Sequence, residues 1–153
     1  MSVEDPIEQA IELIRPSFVG HIIEIIEDCE STNFTYITPR EISQALLTIF
    51  TNALEAIKET KPVRPKVAIR SQNTEEGIII TVCNNGGNIE ENTIQKIFDP
   101  YFSTKKEKNG TGMSLYITKL IIEKQHAGRI SAENKDDELC VRIELKGKQH
   151  STK

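Results

Sequence analysis

Apolar residues recur at helical spacing in several stretches of the chain. Behind Pro6, the positions Ile7, Ala10, Ile11 and Ile14 predict a helix that ends near Arg15-Pro16. The strongest periodicity follows Thr38-Pro39, which reads as a helix cap with proline in the first turn and Glu41 close behind. There Ile42, Ala45, Leu46, Ile49, Phe50, Ala53, Leu54 and Ile57 make one continuous apolar stripe. A further helix is predicted over Met113 to His126, closed by Gly128, and a short one over Glu91 to Phe98. Between them lie strand-like runs: His21 to Ile26, a brief Phe34 to Ile37, Lys66 to Ser71, Gly77 to Asn84, Arg129 to Asn134 and Leu139 to Leu145. Turns are expected at Glu30 to Asn33, Asn73 to Glu76 and Lys135 to Glu138, and Asn85-Gly86-Gly87-Asn88 breaks the strand before it. This order predicts a two-layer α/β sandwich, with a mixed, mainly antiparallel sheet and about three helices on one face.

The chain has 153 residues, a size suited to one domain, so residues 1–153 are expected to form a single unit with a polar tail over 146–153. Hydrophobic residues make up 37% and charged residues 27%, which argues against wholesale disorder. A net charge of -4 gives no case for a nucleic-acid partner. No run is long and apolar enough for direct membrane insertion. Cys29, Cys83 and Cys140 are scattered and odd in number, which is neither a disulfide framework nor a metal-binding spacing. Cys83 and Cys140, both in strand-like runs, are expected to be core thiols of a protein kept in a reducing compartment.

Four places carry candidate chemistry. Asn52 sits among apolar neighbours on the long helix with Glu55 three residues on; it is either a structural amide or a ligand whose oxygen coordinates Mg²⁺. Asn84 ends a strand just before two glycines, either as an ordinary turn residue or as a donor and acceptor for the edge of adenine. The loop from Asp99 to Lys108 holds Lys105, Lys106 and Lys108, and Phe98, Tyr101 and Phe102 are expected to anchor its start in the core. Gly110-Thr111-Gly112 then leads into the predicted helix, and backbone amides of such a turn suit phosphate. A mobile loop there would act as a lid over transfer chemistry. No glycine stretch fits a P-loop or a dinucleotide fingerprint, protein-kinase signatures are missing, and His21, His126 and His150 have no neighbours that mark a catalytic base.

Together these segments resemble the ATP-binding catalytic domain of bacterial sensor histidine kinases, in the superfamily shared with DNA gyrase, Hsp90 and MutL. Ile42 to Ala56 resembles the N-box helix, Val82 to Ile89 the first glycine box, Ile97 to Lys105 the F-box with its Thr-Lys, and Gly110 to Tyr116 the second glycine box. The resemblance covers nearly the whole chain. It implies ATP and Mg²⁺ as cofactors, with Asn52 on the metal and Asn52 and Lys105 as the catalytic pair. It implies nucleotide contacts from Asn52, Glu55, Asn84, Gly86, Asn88, Ile89, Phe98, Thr104, Lys105, Gly110, Thr111, Gly112, Met113, Ser114 and Leu115. The implied reaction moves the γ-phosphoryl group to a histidine on a separate helical dimerisation domain of the same parent protein, and from there to a response regulator. The protein's task in that reaction is positioning and charge neutralisation. The implied location is cytoplasmic, with any membrane anchor of the parent lying elsewhere.

Four positions depart from the pattern, one of them Thr48, which stands where such kinases usually carry another asparagine. Asn84 stands where the first glycine box normally has aspartate, Asn88 replaces one of its glycines, and Ser114 replaces a glycine of the second box. Losing a charge-assisted hydrogen bond at Asn84 would weaken binding by about 1–3 kcal/mol if nothing compensates. These changes keep open a degenerate module that acts by protein contact alone. An anti-sigma-factor-like serine kinase shares the fold and is the third reading. Thr48 lacks the acid expected there of a gyrase-type ATPase. No histidine has a phosphoacceptor context, so the segment is expected to begin just after the dimerisation helix. Alone it would be a monomer that does not phosphorylate itself efficiently.

Overall fold

A computed structural model describes residues 6–30, 39–87, 89–94, 96–100, 114–125 and 128–146. Its elements in chain order are α1 (Pro6–Gly20), β1 (Glu24–Cys29), α2 (Pro39–Thr60), β2 (Lys66–Asn73), β3 (Gly77–Asn84), α3 (Glu91–Ile94), α4 (Ser114–Leu120), β4 (Arg129–Lys135) and β5 (Glu138–Lys146). The five strands form one sheet in the order β1-β2-β3-β5-β4. β1 pairs with β2 in parallel, and every other neighbouring pair is antiparallel. The expected sandwich with a mixed, mainly antiparallel sheet is therefore present, with four α-helices among the described residues.

The sheet's pleat decides what faces the helices. Along β3, Ile78, Ile80 and Val82 are buried in the core while Ile79, Thr81 and Cys83 alternate to the other side. Val67 and Ile69 of β2 and Val141, Ile143 and Leu145 of β5 join the same core. On the helix side, α2 contributes its whole stripe from Ile42 to Ile57, and α1 adds Ile7, Ala10, Ile11, Ile14 and Phe18. The two helices meet through Phe18 and Phe50, whose rings stand edge to face with centroids 6.2 Å apart. A buried polar side chain at this junction, Ser43, has its hydroxyl 3.0 Å from both the Pro6 carbonyl and Gln9 Oε1, so burial leaves it satisfied.

Several boundaries differ from those the sequence predicts, each for a local reason. α1 does not stop at Arg15-Pro16 but runs through Pro16 to Gly20. Proline removes one backbone bond there, yet the full burial of Phe18 against α2 holds the last turn. The predicted strand at His21 to Ile26 begins later, at Glu24, because Ile22 and Ile23 close the helix instead. The Ile23 N–H donates to the Phe18 carbonyl (2.8 Å) and the Ile22 N–H to the Val19 carbonyl (3.0 Å). That is a Schellman motif with Ile22 in the left-handed position, at φ 56°. The helix expected over Glu91 to Phe98 is a single α-turn to Ile94, after which Ile97 and Phe98 drop into the core. The helix expected to run to His126 leaves α geometry after Leu120 and continues as a π-turn over Ile121–Gln125. Ile122 is fully buried, and a Cβ on Gly128 would lie 2.2 Å from the Glu144 carbonyl oxygen. The wider turn thus seats Ile122 and lets glycine pass close to β5, a geometry that helical periodicity does not reveal. β2, β4 and β5 each extend past their predicted ends. The strand expected at Phe34 to Ile37 and the Thr38 cap lie outside the described residues.

Ile22 supplies the first prediction. It is β-branched, 84% exposed, and held in a conformation that asparagine adopts more readily. Ile22→Asn is expected to raise unfolding free energy in urea by about 1 kcal/mol, since the left-handed conformation costs most residues about that much. A loss of stability would contradict the cap assignment.

Candidate functional site

α2 and the chain leaving β3 are brought together by one close contact. α2 carries Asn52 half-buried, with its amide nitrogen donating to the Thr48 carbonyl one turn earlier (2.9 Å). This bond uses the donor end of the amide and leaves the carbonyl oxygen as the end able to face a cation. Four residues on, Ala56 meets the chain leaving β3. A Cβ placed on Gly86 would lie 2.9 Å from both the Ala56 Cβ and the Ala56 carbonyl carbon. Only glycine fits there, and the next residue, Gly87, has φ 106°. A helix rises about 6 Å over four residues, so this contact seats Gly86 against α2 about one turn beyond Asn52.

Asn84 is the last residue of β3 and is buried, with 7% exposure. Its Oδ1 accepts the Gly86 N–H at 2.7 Å, an Asx-turn that steers the backbone into the glycines. The oxygen keeps a second lone pair, and the amide nitrogen is a donor, so the side chain can still offer a donor–acceptor edge. Its neighbour Asn85 has a different task. Asn85 Oδ1 accepts from the Lys66 N–H (2.9 Å) and its nitrogen donates to the Arg64 carbonyl (2.8 Å), which ties the turn to the start of β2.

The far wall is held by Asn134 of β4, a residue that sequence reasoning missed. Its Oδ1 accepts the Ile89 N–H (3.0 Å), and its nitrogen donates to the Ile89 carbonyl (2.5 Å) and to Glu91 Oε2 (3.0 Å). Both backbone groups of Ile89 are therefore fixed by one side chain 45 positions away. Only the sheet register reveals this, so no spacing in the sequence could have found it.

Of the other candidate residues, Glu55 lies exposed on α2, and Ile89 and Leu115 are half-buried and packed against the core. Phe98 is buried within the core cluster, as expected of an anchor for the loop start. α4, which begins at Ser114, packs against α2. Asn88, Thr104, Lys105, Gly110, Thr111, Gly112 and Met113 lie outside the described residues, as do Tyr101, Phe102 and the Ser114 side chain. Asn52, Asn84, Gly86, Ile89 and Leu115 thus belong to one group of touching elements.

The cysteines contradict expectation. Cys83 and Cys140 are not free core thiols but are joined in a disulfide. They stand opposite each other on β3 and β5, on the sheet face away from the main helix-covered core. Their separation of 57 residues concealed this, because strand register, not sequence spacing, made them neighbours. Among the described residues, no helix is long and apolar enough to cross a membrane.

The Asn134 clamp generates the next prediction. Asn134→Ala should cost about 1–3 kcal/mol by leaving the Ile89 backbone groups unpaired. In amide hydrogen exchange the Ile89 N–H should lose its protection, while the core of β3 should keep its own. Unchanged protection at Ile89 would count against the clamp.

Comparison with known proteins bears on the family and the fold. The family of histidine kinase-, DNA gyrase B- and HSP90-like ATPases matches residues 37–149. The C4-dicarboxylate transport sensor protein DctB of Rhizobium meliloti is 29% identical over 146 residues, covering 95% of this chain and 23% of DctB. The sensor histidine kinase ZraS of Salmonella typhimurium is 35% identical over 96 residues, covering 63% of this chain and 19% of ZraS. The chain therefore spans about a fifth to a quarter of the length of these relatives. Among solved structures, the nucleotide-free catalytic domain of histidine kinase ThkA superposes with a TM-score of 0.79 at 25% identity, covering 93% of this chain and 90% of that one. ThkA in complex with the response regulator protein TrrA gives 0.76 at 24% identity, covering 94% of this chain and 40% of that one. The chain belongs to the histidine kinase-, DNA gyrase B- and HSP90-like ATPase family, as a catalytic domain of the sensor histidine kinase type.

Proposed function

We propose that this domain binds ATP·Mg²⁺ between α2 and the end of β3 and presents the γ-phosphoryl group to a histidine on a separate helical domain of its parent protein. The observation that carries this reading is the Gly86–Ala56 contact, which seats the turn after Asn84 against α2 about one helical turn from Asn52. In this reading Asn84 meets the adenine edge through its remaining acceptor pair and its amide nitrogen. Gly86 lets a flat ring approach the backbone, and Ile89 and Leu115 supply apolar walls. Asn52 offers its carbonyl oxygen to Mg²⁺, which when bound neutralises phosphate charge. Glu55 is exposed near the same helix face, where it orders water around the ion. Thr104, Lys105 and the Gly110-to-Ser114 segment are assigned to the phosphates by the family resemblance alone, with Lys105 as the basic candidate.

Transfer then needs no covalent chemistry from this chain. The domain orients the triphosphate, and the attacking imidazole comes from the phosphoacceptor domain. A response regulator receives the group afterwards, in keeping with the ThkA–TrrA complex found among the fold neighbours. The working location in this reading is the cytoplasm, where ATP and the regulator are met.

Calorimetric titration with a non-hydrolysable ATP analogue, with and without Mg²⁺, tests the proposal. Binding is expected, strengthened by Mg²⁺. Asn52→Ala should remove most of that strengthening, roughly tenfold in Kd or about 1.4 kcal/mol, and leave metal-free binding little changed. No heat at millimolar nucleotide would overturn the reading.

A further inference from the structure

We propose that Cys83 and Cys140 form a reversible thiol–disulfide site, a clip opened and closed by exchange with low-molecular-weight thiols and disulfides. We further infer that closing the clip firms the adenine side of the site, an inference that rests on the nucleotide-binding reading above.

The sheet holds the two sulfurs together whatever their oxidation state. Cys83 and Cys140 are direct cross-strand partners with Cα atoms 4.0 Å apart, the close spacing of a pair that exchanges no backbone hydrogen bonds. The β3–β5 ladder runs on from this pair to Gly77 and Lys146, so breaking the disulfide leaves the strands paired and the thiols adjacent. Adjacent thiols close intramolecularly in preference to remaining as mixed disulfides.

Access to the pair is unequal. Cys83 is partly exposed whereas Cys140 is 3% exposed, so an incoming thiolate reaches the Cys83 sulfur. A bond then forms between the external sulfur and Cys83, and the bond to Cys140 breaks, releasing the Cys140 thiolate to take up a proton. A second small thiol attacks the external sulfur, displaces Cys83 as its thiolate, and leaves as part of the small-molecule disulfide. In sum, two small thiols are oxidised by two electrons and the protein disulfide is reduced to a dithiol; closing is the reverse. The Glu138 carboxylate lies within 4.8 Å of both sulfurs and pairs with Lys66 at 3.5 Å. Its negative charge opposes the approach of an anionic thiolate, which slows opening and closing alike.

The clip is connected to the site through the strands. Cys83 directly precedes Asn84, whose cross-strand partner is Leu139, the residue before Cys140. Leu139 in turn pairs with Asn134, which fixes Ile89. The disulfide thus ties together the strand ends that carry Asn84 and the Ile89 clamp. Fixing those ends before a ligand arrives lowers the ordering cost of binding.

The test equilibrates the whole chain in glutathione buffers from fully reduced to fully oxidised, with a chelator present. Acid quenching, alkylation and peptide mass mapping then count thiols, and nucleotide affinity is measured at both extremes. Cys83 and Cys140 should lose alkylation together, give a linked peptide, and recover on reduction, while no linked peptide contains Cys29. Glu138→Gln should speed opening and closing together and leave the midpoint where it is. The oxidised form should bind the ATP analogue roughly fivefold more tightly, a typical size for coupling between sites. Cys83→Ser should bind with the same affinity in every buffer. Thiols that stay alkylatable at the oxidising extreme, or a disulfide untouched at the reducing extreme, would overturn the clip. Equal affinities with a working clip would overturn the coupling. Nucleotide binding to neither form would overturn the functional reading and the coupling with it, while the thiol count would still decide the clip.

Discussion

The space between Gly86 and Ala56 is too small for a methyl group, and much of the site depends on that fact. Any residue with a Cβ at position 86 would push the strand end away from α2. The Asn84 turn, which already uses Oδ1 to bend the backbone into the glycines, would then lose its place beside the helix that carries Asn52. α2 in turn is fixed by burial, its apolar stripe lying between α1 and the sheet. The site is thus a junction between a rigid helix and a strand end, closed by a glycine that lets them meet.

Polar side chains do the remaining positioning, and their roles differ although they are all asparagines. Asn52 bonds back to its own helix through its nitrogen, which leaves its oxygen as the end able to take a cation. Asn84 bends the chain, Asn85 ties it to β2, and Asn134 fixes Ile89 from across the sheet. An amide can donate and accept at once, which suits it to holding both groups of an irregular backbone. The carboxylate expected at position 84 could accept the Gly86 N–H equally well, so the turn does not explain why asparagine stands there.

The sequence revealed what depends on short-range periodicity. The α2 stripe, the β2–β3 hairpin and the break at Asn85-Gly86-Gly87 were all readable because each is set by neighbours within a few residues. What depends on register was hidden. The Cys83–Cys140 bond spans 57 residues and the Asn134 clamp 45, and both exist because β4 and β5 return beside β3 in one alignment. Capping was misread for another reason. Four isoleucines between Ile22 and Ile26 suggest a strand, but Ile22 serves as a left-handed helix cap, a position usually given to glycine. The π-turn escaped because the sequence pattern that fills a π-turn also fits an α-helix.

The central claim is that nucleotide sits where the end of β3 meets α2. Backbone and side-chain amide NMR during titration with the Mg²⁺ complex of a non-hydrolysable ATP analogue tests it most directly. The account predicts that the largest shifts fall on the Asn52 side-chain amide and on Asn84, Gly86 and Ile89, with Glu24 to Cys29 of β1 unmoved. Shifts concentrated on β1, or on the exposed ends of α1, with Asn52 and Asn84 unchanged, would contradict it.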